Sequence, residues 1–304
     1  MKPYNTLVLS GGAVRGFALL GSLQYAMDQG ALAHVTKFIG TSIGAIIAYL
    51  LCIGYSPTEI MVLMCQAQWL SKLAHIDLYN IIQGSGALSY SVLNEILEKL
   101  TVQKIGKFIT LQQLKETYGK TLLCCTFNYT ENKEVMLSPK THPDLPCLTA
   151  LRMSANLPLL FEPFLYDGSV YLDGGLSSNF PIHYADDTDD IVLGLSLAPT
   201  APTETTETTD NVLPKPLELL WKTLAIPMSL LQTLRTEACR ETCDIVEVVL
   251  DGYFCLQFDV SKSDKFDMFS IGYNTTKEFF ERRGKNADSV HHDHCTDTTK
   301  TENL

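Results

Sequence analysis

Short uninterrupted apolar runs that stop at glycine alternate along the chain with longer stretches at helical spacing. This pattern predicts an α/β domain whose strands are buried on both faces. The first run, Thr6-Leu7-Val8-Leu9 within residues 5–10, stops at Gly11-Gly12, and a helical pattern through Phe17, Leu20, Leu23 and Met27 follows it and closes at Gly30. A second strand is expected over residues 35–39. Residues 43–52 are apolar nearly all round, the mark of a helix in the core. Ser56-Pro57-Thr58-Glu59 is a capping box with proline at the first helical position, and it opens a Met-rich helix carrying Ile60, Met61, Leu63, Met64, Trp69 and Leu70. Such a helix reads first as core and second as a lid or a lipid-facing surface. Residues 77–89 read as loop and 90–100 as helix, and a second capping box, Thr110-Leu111-Gln112-Gln113, starts a short helix that ends at Gly119.

Beyond Gly119, strands are expected over 121–128 and 133–137, joined by the turn around Thr130-Glu131-Asn132. Residues 148–161 read as a helix stopped before Pro158. Two strands, 163–166 and 170–172, bracket the turn Asp167-Gly168, and a core strand is expected over 191–196. The Thr/Glu/Pro stretch 199–210 reads as a solvated loop. An amphipathic helix over 214–235, interrupted near Pro227, leads to strands over 245–250 and 254–258 and a last helix over 273–283. From Gly284 the chain is polar. The expected organisation is one domain over residues 5–283 and a disordered tail over 284–304.

Size supports one large domain: 304 residues, 46% hydrophobic, can bury a sizeable core. Charge narrows the partners. Lys and Arg number 23 against 34 Asp and Glu, a net charge of −11, which argues against nucleic acid and against electrostatic docking on anionic lipid. Any peripheral membrane contact would have to be apolar, and helices 60–70 and 217–234 are the candidates. The nine cysteines are scattered singly apart from Cys124-Cys125, and the start Met1-Lys2-Pro3-Tyr4 has no apolar signal region, so reduced thiols in a cytoplasmic protein are expected. The longest apolar run, 43–53, is shorter than the roughly 20 residues a transmembrane helix needs. His291-His292-Asp293-His294-Cys295 lacks the ligand spacing of a structural zinc site, and no metal is expected.

Three strand ends carry the candidate chemistry. The second strand runs through Gly40-Thr41-Ser42-Ile43-Gly44 into a helix, the form of turn that exposes a nucleophilic serine, although Ser42 or Thr41 as a plain helix cap would fit as well. The loop Gly11-Gly12-Ala13-Val14-Arg15-Gly16 points backbone N–H groups at one spot and suits a phosphate or an oxyanion. Ala13 breaks the glycine pattern of a dinucleotide loop, and no acidic residue ends the second strand, so the oxyanion reading is preferred and no cofactor is expected. Asp173, directly before Gly174-Gly175, ends a third strand.

In their order, Gly-Gly-x-x-Arg-Gly, Gly-Thr-Ser-x-Gly, Ser154-Ala155-x-x-Pro158 ending at Phe161, and Asp173-Gly174-Gly175-Leu176 followed by Asn179 and Pro181 resemble the patatin-like phospholipase family. The resemblance covers about residues 5–197 and implies a three-layer α/β fold, a mostly parallel central sheet flanked by helices. It implies a lipid acyl hydrolase, a carboxylic ester hydrolase of phospholipase A type that needs no metal or cofactor and acts on phospholipid or another acyl lipid. Carried over, Ser42 is the nucleophile, Asp173 the base of a two-residue dyad, and the backbone of Gly11, Gly12 and Ala13 the oxyanion hole, with Arg15, Gly16, Gly40, Gly44, Gly174 and Gly175 in support. Ala13 departs from the family's third glycine. Two alternatives stand beside this reading: a patatin-fold lipid-binding protein weakened or inactivated at Ala13, and a Ser-His-Asp esterase or acyltransferase using His34, His75, His142 or His183.

Overall fold

The computed structural model describes residues 2–66, 89–185, 190–198, 215–239, 243–253, 255–257 and 260–293. The chain opens with β1 (Thr6–Leu9), a short 3-10 turn and α1 (Gly16–Asp28), followed by β2 (Lys37–Thr41), α2 (Ile43–Cys52) and α3 (Pro57–Gln66). Next come α4 (Ser91–Ile105), α5 (Leu111–Tyr118), β3 (Thr121–Asn128), β4 (Lys133–Leu137) and α6 (Cys147–Ser154). The rest is β5 (Phe164–Tyr166), β6 (Ser169–Asp173), α7 (Gly175–Ser178), β7 (Val192–Leu197), α8 (Lys215–Glu237), β8 (Cys243–Val248) and α9 (Lys262–Asp293).

Among the described residues eight strands form one sheet in the order β5-β6-β3-β2-β1-β7-β8, with β4 paired to β3 off that path. From β3 through β2, β1 and β7 to β8 every pairing is parallel, while β3–β4, β3–β6 and β5–β6 are antiparallel. Side-chain alternation sends Leu7 and Leu9 into the larger core with Phe38, Leu122 and Leu195, and Val8 with Ile39 and Val192 into a smaller core on the other face. Both faces of the central strands are therefore covered. This explains why these strands read as continuous apolar runs. On the larger side α1 and α9 lie so close that a Cβ at Gly21 or Gly272 would collide with the other helix's backbone, and Ser22 Oγ donates to the Gly272 carbonyl at 3.1 Å.

The edge of β3 is shared in a way that builds the site. β4 occupies one edge from Cys124 to Asn128, so β2, which reaches Cys125, and β6, which begins at Thr126, must share the other. β6 runs antiparallel to β3, and its last residue, Asp173, pairs with Thr126, next to Cys125, the partner of Thr41. The carboxyl ends of β2 and β6 thus meet head to head. The third strand end assembles by this opposition and not as one more end of a parallel row.

Several boundaries differ from expectation. α6 stops at Ser154: Ala155 N–H caps it on the Leu151 carbonyl, and Asn156 bonds to β6 instead, accepting from Asp173 N–H and donating to the Tyr171 carbonyl. α8 runs through Pro227 without interruption; Gln232 and Arg235 tie its second half to the domain, which offsets one lost backbone bond. The strand expected over 254–258 does not form at residues 255–257. Gly252 turns the chain at φ 80°, and the Cys255 carbonyl accepts from Val14 N–H at 3.3 Å instead of from a strand. The last helix starts at Lys262, where Ser261 and Asp264 cap each other reciprocally, and continues past Gly284 to Asp293. The loop expected over 77–88, the stretch 199–210, Trp69, Leu70, His75 and residues 294–304 lie outside the described residues.

Candidate active site

Ser42 stands between the last residue of β2 and the first of α2, at φ 55° and ψ −124°, a region that non-glycine residues enter only when the surroundings hold them there. The surroundings here are crowded. A Cβ at Gly44 would lie 2.5 Å from the Ser10 carbonyl oxygen, and one at Gly40 would lie 2.5 Å from the Ala45 nitrogen, so only glycine lets α2 start this close to β1 and β2. Thr41 Oγ1 donates to the Ser178 carbonyl at 2.8 Å, and Ser42 N–H donates to Ser154 Oγ at 3.0 Å. At the start of α1, Gly16 packs on Ile43, the residue after Ser42.

The glycine loop lies beside this corner. Its first member is already committed, since Gly11 N–H donates to the Asn179 carbonyl at 2.8 Å. Among the described residues the Gly12 and Ala13 amides donate to no partner, and the first-turn amides of α2 lack intrahelical acceptors as in any helix. Ala13 holds φ 47°, the left-handed conformation glycine adopts freely and alanine adopts at a cost. The loop therefore keeps the Gly12 and Ala13 amides open to an acceptor, while Gly11 N–H is taken by the Asn179 carbonyl and could not serve one. Arg15 is buried; its guanidinium Nη1 donates to the Ala198 carbonyl at 3.3 Å, and its Nε has no partner.

Asp173 is 1% exposed and Ser42 6%. The carboxylate Oδ1 accepts from Gly175 N–H at 2.7 Å, while Oδ2 is buried without a closed hydrogen bond. Burial raises the carboxyl from its ordinary 3.8 to about 6; the Ser42 hydroxyl, close enough to favour the charged form, and the Gly175 amide offset part of that rise. A buried carboxylate with a free oxygen and a serine hydroxyl close by has the basicity and the open valence to take up a proton near neutral pH. Gly174 fits because a side chain there would collide with the Cys125 carbonyl.

Among the described residues no histidine bonds Ser42 or Asp173. His34 is exposed, His142 bonds its neighbour Thr141 at 2.8 Å, and His183 bonds Glu134 at 3.1 Å. Among the described residues no cluster of His, Cys, Asp and Glu could hold a metal ion. Four residues near the site carried no role in the sequence reading. Ser154 and Asn179 stand in the quoted motifs. Gln232 and Met228 left no signal beyond the apolar spacing of α8, yet Gln232 Oε1 accepts from Asn179 Nδ2 at 2.9 Å and Met228 Cε would lie 3.5 Å from a Cβ at Gly175.

Comparison with known proteins identifies the family and the fold. The family model described as patatin-like phospholipase matches residues 7–186, more than half of the chain. "Probable lipid hydrolase 463L" of Invertebrate iridescent virus 6 is 37% identical over 187 residues, which span 60% of this chain and 64% of that protein. The chain thus spans less than two thirds of that relative's length. Among solved structures, VipD from Legionella pneumophila superposes with a TM-score of 0.53 at 16% identity, covering 92% of this chain and 67% of that one. ExoU in its heterodimeric complex with SpcU, from Pseudomonas aeruginosa, superposes with a TM-score of 0.55 at 17% identity, covering 92% and 52%. At such identities the superpositions speak for the fold alone. The motifs, the matched segment and the shared fold agree: this chain belongs to the patatin-like phospholipase family.

Proposed function

We propose that the protein hydrolyses acyl ester bonds of lipids, as a phospholipase A-type enzyme, through a Ser42–Asp173 dyad. The observation that carries the reading is the buried Asp173 carboxyl, with one oxygen held by Gly175 N–H, the other unpartnered, and the Ser42 hydroxyl close enough to favour its charged form. In this scheme Ser42 Oγ bonds to the ester carbonyl carbon while its proton passes to Asp173. The carbonyl oxygen becomes an oxyanion, and the Gly12 and Ala13 amides stabilise it. Collapse breaks the ester C–O bond, and the departing alcohol takes the proton from Asp173. Water then attacks acyl-Ser42, again losing its proton to Asp173, and the fatty acid leaves as Ser42 regains a proton. A carboxyl near 6 is ionised at neutral pH yet far more basic than an exposed aspartate, which matches this double duty.

The surface that meets lipid is assigned to α8. Leu219, Ile226, Leu230 and Leu234 follow one another seven, four and four residues apart, along one side of the helix, and are all exposed, at 57–68%, while Met228 on the same helix reaches toward Gly175 beside Asp173. The described part of α3 is a poorer candidate, because Ile60 and Met61 are buried in the core. Among the described residues no helix is long and apolar enough to cross a membrane, so the contact proposed is peripheral.

Fatty-acid release from phosphatidylcholine, lysophosphatidylcholine and triacylglycerol, with Ser42→Ala as control, tests the proposal. Release from at least one class that vanishes in Ser42→Ala is expected. A folded protein that releases nothing from any of them, or a Ser42→Ala variant that keeps turnover, overturns it.

A further inference from the structure

We infer that Ser154 is a positioning residue that locks Ser42 and the Asp173-Gly174 turn into one frame; the inference rests on the reading in which Ser42 attacks and Asp173 takes the proton. Ser154 is fully buried at the end of α6 and touches both halves of the site. Its hydroxyl accepts from Ser42 N–H at 3.0 Å and donates to the Cys125 carbonyl at 2.6 Å. Its own carbonyl accepts from Gly174 N–H at 3.3 Å. Two residues on, the Asn156 carbonyl accepts from Asp173 N–H at 2.8 Å.

The place of these bonds in the sheet gives them meaning. Cys125 is the last residue of β3 that pairs with β2, and Thr126 is the first that pairs with β6. At that handover Ser42 turns out of the ladder, so its N–H needs an acceptor that no strand supplies. One hydroxyl meets the need by standing between Ser42 N–H and the Cys125 carbonyl. A serine at φ 55° keeps that conformation only while its neighbours over-determine it, and Ser154 is one of those neighbours. The segment bearing it is itself fixed. Arg152, two residues earlier, is stacked 4.0 Å over the Tyr90 ring, donates to Asn156 Oδ1 at 2.8 Å and to the Glu162 carbonyl at 3.0 Å. Asn156 Nδ2 in turn donates to the Tyr171 carbonyl of β6 at 2.7 Å.

Deleting this hydroxyl lets the Ser42 corner relax and turn its Oγ away from the carboxylate, and small misplacements of reacting groups are costly to rate. The test compares Ser154→Ala with Thr101→Val, which removes a fully buried hydroxyl remote from the site, where Thr101 bonds Tyr49 and the Leu97 carbonyl. With rates corrected for folded fraction, Ser154→Ala is expected to lose about 10- to 100-fold in kcat at a KM within about twofold of the parent. Thr101→Val is expected to keep its kcat. A Ser154→Ala kcat no lower than that of Thr101→Val, with Ser42→Ala inactive, overturns the inference and leaves the dyad standing. Turnover by Ser42→Ala overturns the dyad and this inference with it. Should Ser154→Ala yield no folded protein, Ser154→Cys carries the test, since a thiol fills the same space but accepts weakly. A lowered kcat in that variant supports the inference and a parental kcat overturns it.

Discussion

Replacing Asp173 by asparagine removes a charge that the fold holds at a loss. The carboxyl moves from 3.8 to about 6 on folding, chiefly through burial, which corresponds to about 3 kcal/mol against the folded state once the group is ionised. An acid raised in the folded state binds more protons there than in the unfolded chain between those two values. Stability therefore falls as pH rises through that window, and the cost is fully present above about pH 6 and absent below about pH 4. Asparagine has the same shape. Its carbonyl oxygen can keep the Gly175 N–H bond, and its amide can donate toward Ser42 Oγ where Oδ2 now has no partner. Asp173→Asn should therefore be more stable than the parent by about 1–3 kcal/mol at pH 7.5, with the gap closing toward pH 4, while kcat falls by roughly 10²–10⁴-fold. Urea denaturation of both proteins at the two pH values measures the gap. A variant less stable than the parent at pH 7.5, or a gap that does not shrink in acid, refutes the claim that burial raises this carboxyl.

Four further outcomes follow from the same geometry. The kcat of the parent should rise with pH through a midpoint near 6, because only the ionised carboxylate accepts the Ser42 proton; a profile flat from pH 5 to 8 contradicts this. Ala13→Gly should leave stability equal or raise it by up to about 1 kcal/mol, relief at φ 47° outweighing added chain entropy, and should keep or raise kcat; a stability loss above that size in urea denaturation counts against the strain. Gly44→Ala should cost roughly 1–3 kcal/mol in the same assay and depress kcat, because the new methyl meets the Leu9 and Ser10 carbonyls; an unchanged unfolding midpoint argues against the tight corner. The pair Leu230→Ser and Leu234→Ser should weaken cosedimentation with neutral phosphatidylcholine vesicles about tenfold in a salt-independent way; unchanged binding removes α8 from the lipid-facing surface.

The turns that hold the strand ends were legible because local physics writes them into adjacent residues. Apolar runs that stop at Gly11 and at Gly40 announced β1 and β2, and the glycines around Ser42 announced the tight corner whose φ is 55°. Local physics could not announce register. That β6 opposes β2 along one edge of β3 depends on pairings between residues about 45 and 84 positions apart, and no period along the chain encodes them. The same non-locality hid the Gln232–Asn179 bond, the commitment of Gly11 N–H to the Asn179 carbonyl, and the two contacts of Ser154. At α9 the signal was present. Ser261-Lys262-Ser263-Asp264 is a reciprocal cap, but the apolar spacing that follows becomes regular only later, so a reading led by apolar residues starts the helix too late. Pro227 misled in the opposite direction, since tertiary bonds from α8 outweigh one missing backbone donor.

Covalent trapping with a fluorophosphonate, mapped by peptide mass spectrometry and timed at pH 7.5 in the parent and in Asp173→Asn, bears most directly on the site. The account predicts one adduct, on Ser42, formed at least about 100-fold more slowly without the carboxylate. A folded parent that takes no adduct at Ser42, or an asparagine variant labelled at the parent's rate, contradicts it.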